Sequence, residues 1–290
     1  MLRTVDIIFL SKRKVWKTQQ AIKKNKELYN KTKMNMDFTV VVTGAGRGLG
    51  HAMVDELADR HRKRVTIGFF GNKDNEKENV NLRIIPVSRT SLSNLSWKEK
   101  ETQSNGLLTI RPVIGELGTE EGLEKIIGEI RNMGGNIDAL VNNAATFEKT
   151  SIKEINWKQF SRVYYLNTYV PFRLTAGLLE QMSEGMAHIL NIGSMGGIQG
   201  AVKYPGFSIY SSSKMALAGL TECLATELPG GIAINYLGLG SVRTEMLRSA
   251  FPDFTGGTEC ERMASYVIDC LFSLPGVQNG SLIRVSNSNP

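Results

Sequence analysis

Short runs of aliphatic and β-branched residues alternate with longer segments whose apolar positions recur every three or four residues, from residue 38 to residue 285. The runs at 38–43, 64–70, 107–114, 138–142, 187–193, 231–237 and 280–285 have the length and composition of buried strands. Helical spacing marks 51–60, 119–132, 157–182, 207–228 and 258–272. Strand, helix, strand repeated in this way predicts a parallel sheet covered on both faces, because right-handed crossovers set a helix between neighbouring strands. The expected fold is α/β, a doubly wound (Rossmann) parallel sheet in a single domain with an N-terminal extension.

Two stretches fall outside the rhythm. Residues 71–106 are polar, rich in Asn, Ser, Lys and Glu, and long for a connection between strands. They are expected to hold a shortened helix or loop with an insertion, over which Trp97 packs. Residues 1–36 are rich in Lys and Asn, and Val15, Trp16, Ile22 and Leu28 make only a ragged helical stripe. The expected division is a basic, disordered extension over 1–36 and a folded domain over 37–290.

Charge sharpens that division. The chain carries 35 basic and 28 acidic residues, a net charge of +7, which suggests an anionic partner. Ten of the basic residues and two of the acidic ones lie in 1–36, leaving 25 against 26 in 37–290. The body is close to neutral, so no nucleic-acid partner is expected for it. The extension reads as a solvated tail, as a weak anchor on an anionic membrane surface, or as residues ahead of a start at Met34 or Met36.

No apolar run approaches the ~20 residues of a membrane span. The run at 5–10 is short and interrupted by Asp6, which argues against a signal-peptide core. Cys223, Cys260 and Cys270 are odd in number, far apart, and lack a Cys-x-x-Cys pair. This pattern argues against a disulfide framework and against zinc, and no metal is expected. It suits a reducing, cytoplasmic compartment, with the three thiols acting as small buried or half-buried hydrophobes.

Chemistry gathers at two motifs. Thr43-Gly44-Ala45-Gly46-Arg47-Gly48-Leu49-Gly50 lies where the first strand gives way to the first helix. Glycines there let the backbone turn sharply and approach a pyrophosphate, while the helix N-terminus offers free N–H groups to the anion. The spacing is T-G-x-x-x-G-x-G, carried by Gly44, Gly48 and Gly50; Leu49 and Arg47 stand where other dinucleotide fingerprints need glycine. Downstream, Tyr210 and Lys214 stand four apart, which stacks a phenol and an ammonium on one helix face. A phenol is a poor acid or base at neutral pH, and a fixed cation beside it is expected to lower its pKa toward the working range.

With these motifs in order, the chain resembles the short-chain dehydrogenase/reductase family, in its single-domain oxidoreductase branch. The resemblance runs from about Phe38 to Val285. Asn142-Asn143-Ala144-Ala145 matches the family's Asn-Asn-Ala-Gly with Ala145 for the last glycine, and Leu166-Asn167-Thr168 matches the helix that carries an Asn of the site. Asn191-Ile192-Gly193-Ser194 puts Ser194 at the serine position. The run Leu239-Gly240-Ser241-Val242-Arg243-Thr244 matches Pro-Gly-x-Val-x-Thr with Leu239 for proline, a change expected to relax the loop holding Thr244. Ser194 and Tyr210 are sixteen positions apart, a few more than usual, and the additional residues at 196–205 are expected to reshape one wall of the substrate pocket.

The resemblance implies hydride transfer between a nicotinamide cofactor and a small or medium carbonyl or alcohol compound. It implies Tyr210 as acid/base, Lys214 as its electrostatic partner and ribose ligand, Ser194 as holder of the substrate oxygen, and Asn167 as part of a proton relay. Cofactor contacts are expected from Gly44, Gly46, Arg47, Gly48, Leu49, Gly50, Glu116, Leu117, Asn143, Ala144, Tyr210, Lys214, Gly240, Val242 and Thr244. The stretch at 67–73, taken as the end of the second strand, has no acid before Asp74, and Arg47 and Lys73 can meet a 2′-phosphate. NADP(H) is therefore expected over NAD(H). The segment 243–257, with Met246, Leu247, Phe251 and Phe254, is expected as an apolar lid. By resemblance the long helices at 157–182 and 207–228 make the face of a homodimer or homotetramer. A cofactor-binding sensor of the same fold is the competing reading, and the presence of both Tyr210 and Lys214 counts against it. An epimerase or dehydratase is disfavoured by Arg47 at the diagnostic glycine position.

Overall fold

In this computed structural model, residues 36–62, 80–90, 92, 95–182 and 187–286 are described. In chain order the strands are β1 (Met36–Thr43), β2 (Val80–Ser88), β3 (Leu108–Ile110), β4 (Val113–Ile114), β5 (Ala139–Asn142), β6 (His188–Ile192), β7 (Ala233–Leu239) and β8 (Leu282–Val285). They form one sheet in the order β3-β2-β1-β5-β6-β7-β8, with β4 beside β2 beyond β3. The paired registers are parallel, for example Val41 opposite Leu140 and Asn142 opposite Asn191. The helices are α1 (Gly48–Arg62), α2 (Leu95–Gln103), α3 (Glu120–Asn132), α4 (Trp157–Tyr164), α5 (Val170–Leu178), α6 (Ser208–Glu227), α7 (Glu245–Ala250) and α8 (Cys260–Ser273).

The period of two along β1 decides which helices it meets. Val40 and Val42 join a core with Met53 and Leu57 of α1 and Val267 and Ile268 of α8. Val41 points the other way, to Ile126 and Ile127 of α3 and Leu174 of α5. Burial on both faces explains why the strand reads as a continuous apolar run. The chain leaves β1 toward β2 on one side and later returns to β5 on the other. The ends of β1 and β5 therefore border a crevice at the topological switch point, where ligands bind in open α/β sheets.

Several elements differ from the sequence reading. The strand expected at 64–70 lies outside the described residues, and the strand beside β1 is β2, inside the stretch expected to be loop and insertion. Pro86 sits within β2, an unusual residue for an inner strand. It has no N–H to offer the neighbouring edge, and there the expected strand at 107–114 divides into β3 and β4, with Arg111-Pro112 between them. Trp97 does not pack over a loop: on α2 it stacks with His51 of α1 at 5.0 Å and donates from Nε1 to Asp55 at 2.9 Å. Among the cysteines, Cys270 is buried and Cys260 half-buried as expected, but Cys223 is exposed. The expected extension over 1–36 lies, apart from Met36, outside the described residues, as do Lys73 and Asp74.

The long helix expected at 157–182 is present with one interruption. Asn156 and Gln159 form a reciprocal capping box at its start, and a π-helical turn, Tyr165–Tyr169, joins α4 to α5. Such turns re-aim side chains and occur often at functional sites. This one carries Asn167.

Candidate active site

A cleft of about 1450 Å³ opens at the carboxyl ends of β1, β2, β5, β6 and β7. The expected catalytic and cofactor residues among those described border it except Asn167, which lies buried behind it; of the expected lid, Met246, Leu247 and Phe251 line the cleft and Phe254 does not.

The glycine turn is built for close approach. Gly44 and Gly48 have φ of +68° and +57°, in the region that favours glycine. A Cβ at Gly50 would lie 2.2 Å from the carbonyl oxygen of Gly44, so the third motif glycine is set by packing within the turn. Thr43 Oγ1 accepts from the backbone N–H groups of Asn143 and Ala144 at 2.9 and 3.0 Å, and Asn143 Nδ2 also donates to the Thr43 carbonyl at 2.9 Å. The β1 and β5 exits are thus tied together at the mouth of the crevice. α1 begins at Gly48, and its first-turn N–H groups suit a pyrophosphate. The residues present therefore fit a dinucleotide.

The end of β2 adds groups the sequence reading did not include. Ser88, Arg89 and Thr90 line the cleft beside the turn, and a Cβ at Gly46 would meet Ser88 Oγ at 2.5 Å. The signal was present in the apolar run of Leu82, Ile84, Ile85 and Val87, but the polar stretch of 71–106 around it masked a strand, and Pro86 is unusual within one. Arg47 pairs with Glu245 at the start of α7, and Arg89 lies 3.9 Å from Glu116. The Glu116 carboxylate also accepts from Gly118 N–H at 2.7 Å, which folds it back on its own loop.

Ser194, Tyr210, Lys214 and Asn167 come together from β6, α6 and the π turn. Ser194 and Tyr210 both line the cleft, with the Ser194 side chain near enough to the phenol to favour its charged form. Ser194 Oγ also accepts from Gly196 N–H at 3.1 Å. Lys214 is buried, and its Nζ donates to the Ile192 carbonyl at 2.9 Å. Burial pushes Lys214 down to about 8. Burial also pushes Tyr210 above the usual phenol range, with the nearby Ser194 side chain pulling partly back. The expected lowering of Tyr210 by Lys214 is therefore not what this geometry gives: the ammonium is turned to Ile192, and desolvation wins. Asn167 exchanges hydrogen bonds with the Thr146 backbone at 2.9 and 2.8 Å and donates to Ser213 Oγ at 3.0 Å. Its side chain thus braces the loop after β5 against α6.

Beneath Ser194 lies Tyr236 of β7, fully buried. Its hydroxyl accepts from Ser194 N–H at 2.9 Å and donates to the Ser194 carbonyl at 3.0 Å, holding both backbone groups of that residue. The ring fits because its neighbours have no side chain: a Cβ on Gly193 would fall 1.8 Å from Tyr236 Cζ, and one on Gly197 2.4 Å from its oxygen.

The loosening expected from Leu239 is absent. Leu239 extends β7 opposite Val285, Gly240 N–H donates to the Val285 carbonyl at 2.7 Å, and Ser241 and Arg243 bond with Thr258. Thr244 caps α7, accepting from Leu247 N–H at 3.2 Å. Residues 195–202 contribute Met195, Gly196, Gly200, Ala201 and Val202 to the cleft wall.

The short chain dehydrogenase family model matches residues 77–254. A glucose and ribitol dehydrogenase homolog 2 from Arabidopsis thaliana is 34% identical over 217 residues, covering 73% of this chain and 68% of that protein. Carbonyl reductase [NADPH] 2 from Sus scrofa is 30% identical over 226 residues, covering 76% and 79%. A solved short-chain dehydrogenase/reductase from Serratia marcescens shares the fold with a TM-score of 0.66 and 21% identity, over 86% of this chain and 96% of that one. The chain belongs to the short-chain dehydrogenase/reductase family, a family of oxidoreductases.

The Gly193–Tyr236 fit yields a measurable coupling. Gly193→Ala should cost about 3 kcal/mol through overpacking, lowering Tm by roughly 6–12 °C. In a Tyr236→Ala background the same change should cost almost nothing, and additive losses in thermal unfolding would refute the contact.

Proposed function

We propose that the protein is an NADP(H)-dependent oxidoreductase that interconverts a carbonyl compound and its alcohol, with Tyr210 as the acid/base. The observation that carries this reading is that Ser194, Tyr210 and Lys214 line the same cleft as the glycine turn. Bound in that cleft, the nicotinamide supplies hydride chemistry. Ser194 orients the substrate oxygen by hydrogen bond, and Tyr210 moves a proton to or from it. Lys214 contributes a buried positive charge and a donor for ribose hydroxyls; Asn167 holds the wall on which the proton path runs.

Tyr210 keeps its proton above the usual phenol range, so it stands ready as a donor at neutral pH. Reduction should therefore dominate near pH 7. Oxidation of the alcohol, which needs the phenolate, should gain as pH rises toward 10. Absorbance assays in both directions between pH 6 and 10 test the sign, and a fall in oxidation rate across that range would contradict it. Tyr210→Phe should retain cofactor binding and lose about 10²–10⁴-fold in turnover; near-normal turnover would overturn the assignment.

Cofactor choice rests on charge. Ser88, Arg89 and Thr90 contain no carboxylate to accept an adenosine 2′-hydroxyl, and Arg47 and Arg89 flank the same end of the cleft. The Sus scrofa relative, carbonyl reductase [NADPH] 2, points the same way. Arg47→Ala and Arg89→Ala should each weaken NADPH binding by roughly 10- to 100-fold and leave NADH binding nearly unchanged. Equal losses for both cofactors in fluorescence titrations would count against a 2′-phosphate site.

A dimer or tetramer fits the face that carries Tyr169, Phe172 and Met215, which are 38%, 39% and 42% exposed. Phe172→Glu should shift light scattering toward monomer; an unchanged mass would exclude this face. The free thiols suit a cytoplasmic setting.

A further inference from the structure

The substrate side of the cleft is faced with aromatic rings brought from separate parts of the chain. Phe147 follows β5, Tyr204 and Phe207 precede α6, and Phe251 ends α7. Three of them form a near-parallel row: Phe147 and Phe207 lie 6.2 Å apart at 9°, and Phe207 and Phe251 5.1 Å apart at 4°. Tyr204 closes one end edge-on to Phe251 at 5.2 Å and 74°. The Tyr210 ring stands edge-on to the row, 6.5 Å from Phe147 and 6.3 Å from Phe207.

The row is fixed rather than collapsed at random. Thr150 N–H donates to the Gly206 carbonyl at 3.0 Å, joining the loop of Phe147 to the segment of Phe207. Lys149 Nζ donates to the Ala250 carbonyl at 3.1 Å and lies 6.0 and 5.8 Å over the Phe207 and Phe251 rings. Its charge is thereby engaged by a carbonyl and two ring faces. Arg162, also on the cleft, is paired with Glu148. Phe207 is buried in the middle of the row, while Phe147, Tyr204 and Phe251 are half-buried and keep ring surface toward the cleft.

We propose that the substrate is a carbonyl compound whose C=O is attached directly to an aromatic ring, an aryl ketone or aryl aldehyde. This rests on the oxidoreductase reading above. A carbonyl oxygen held at Ser194 and Tyr210 would bring its substituents near Phe147 and Phe207, whose rings lie 6.5 and 6.3 Å from that of Tyr210, so an aryl substituent adds ring–ring contacts that a saturated ring cannot make. Each favourable ring–ring contact is worth roughly 2- to 12-fold, so two contacts of average strength give an aryl compound an advantage of about 10-fold or more. In the reduction, the carbonyl carbon gains a C–H bond with the hydride pair from NADPH, and the C=O π pair passes to oxygen. That oxygen takes the Tyr210 proton. The products are the benzylic alcohol and NADP⁺, and Tyr210 recovers a proton from solvent.

The test compares acetophenone with cyclohexyl methyl ketone, which share a skeleton and differ in ring saturation, using the full chain and NADPH; 2,3-butanedione serves as a small non-aromatic control. Conjugation makes acetophenone the less electrophilic ketone, so intrinsic reactivity works against the expected result. The expected kcat/KM ratio is at least about 10 in favour of acetophenone. Phe147→Leu and Phe251→Leu, each checked for unchanged thermal unfolding, should both reduce the ratio to under about 3. A ratio near one with butanedione still reduced overturns the aryl preference and leaves the oxidoreductase reading standing. A high ratio that neither substitution lowers also overturns it, because the preference would then arise elsewhere. NADPH binding without turnover of any of the three sinks the oxidoreductase reading and this inference with it.

Discussion

The site depends on the tie between the exits of β1 and β5. Asn143 and Ala144 donate three hydrogen bonds to Thr43 across the switch point, so the glycine turn and the Asn-Asn-Ala segment behave as one rigid corner. A Cβ at Gly44 would lie 2.9 Å from the Ala144 backbone, which shows how little space separates the two exits. From that corner, the parallel register carries position to β6 and then to β7. Asn142 donates to Asn191 at 2.8 Å, and Asn191 donates to Thr221 of α6 at 2.9 Å. The helix that bears Tyr210 and Lys214 is thus connected by buried side-chain hydrogen bonds to the corner where the dinucleotide is expected. Misplacing the corner by an ångström would displace the reacting groups by a similar amount.

Much of this was legible in the sequence because the informative patterns are local. A glycine turn after an apolar run and a Tyr-x-x-x-Lys on a helical stripe survive without knowledge of tertiary contacts. The second strand did not, for a physical reason. Val65-Thr66-Ile67 looks like a strand by composition, whereas β2 contains Pro86 and follows a polar stretch. What makes β2 a strand is long-range: its neighbours in the sheet supply the partners, and tertiary context overrides local preference. That misplacement carried over to the cofactor argument, which looked to Lys73 when the cleft presents Arg89.

The electrostatics of the reacting pair were also not legible from spacing. Four residues on a helix bring two side chains to one face, but the atom each terminal group reaches depends on what else faces it. Lys214 finds the Ile192 carbonyl, and both groups pay a desolvation cost set by the surrounding strands. Tyr236 belongs to the same category. Its sequence neighbours give no hint of a role near Ser194, and only the bare backbones of Gly193 and Gly197 admit its ring.

The Arg47–Glu245 pair gives the cleft a resident counter-ion. An arriving anion meets an arginine already matched to a carboxylate on α7, so binding is an exchange of one negative group for another. Affinity then reports a difference between two ion pairs, and added salt weakens both sides of that exchange. The consequence is a muted ionic-strength dependence for phosphate recognition at this arginine. Glu245 is the first residue of α7, so the same pair also joins the glycine turn to the α7 segment.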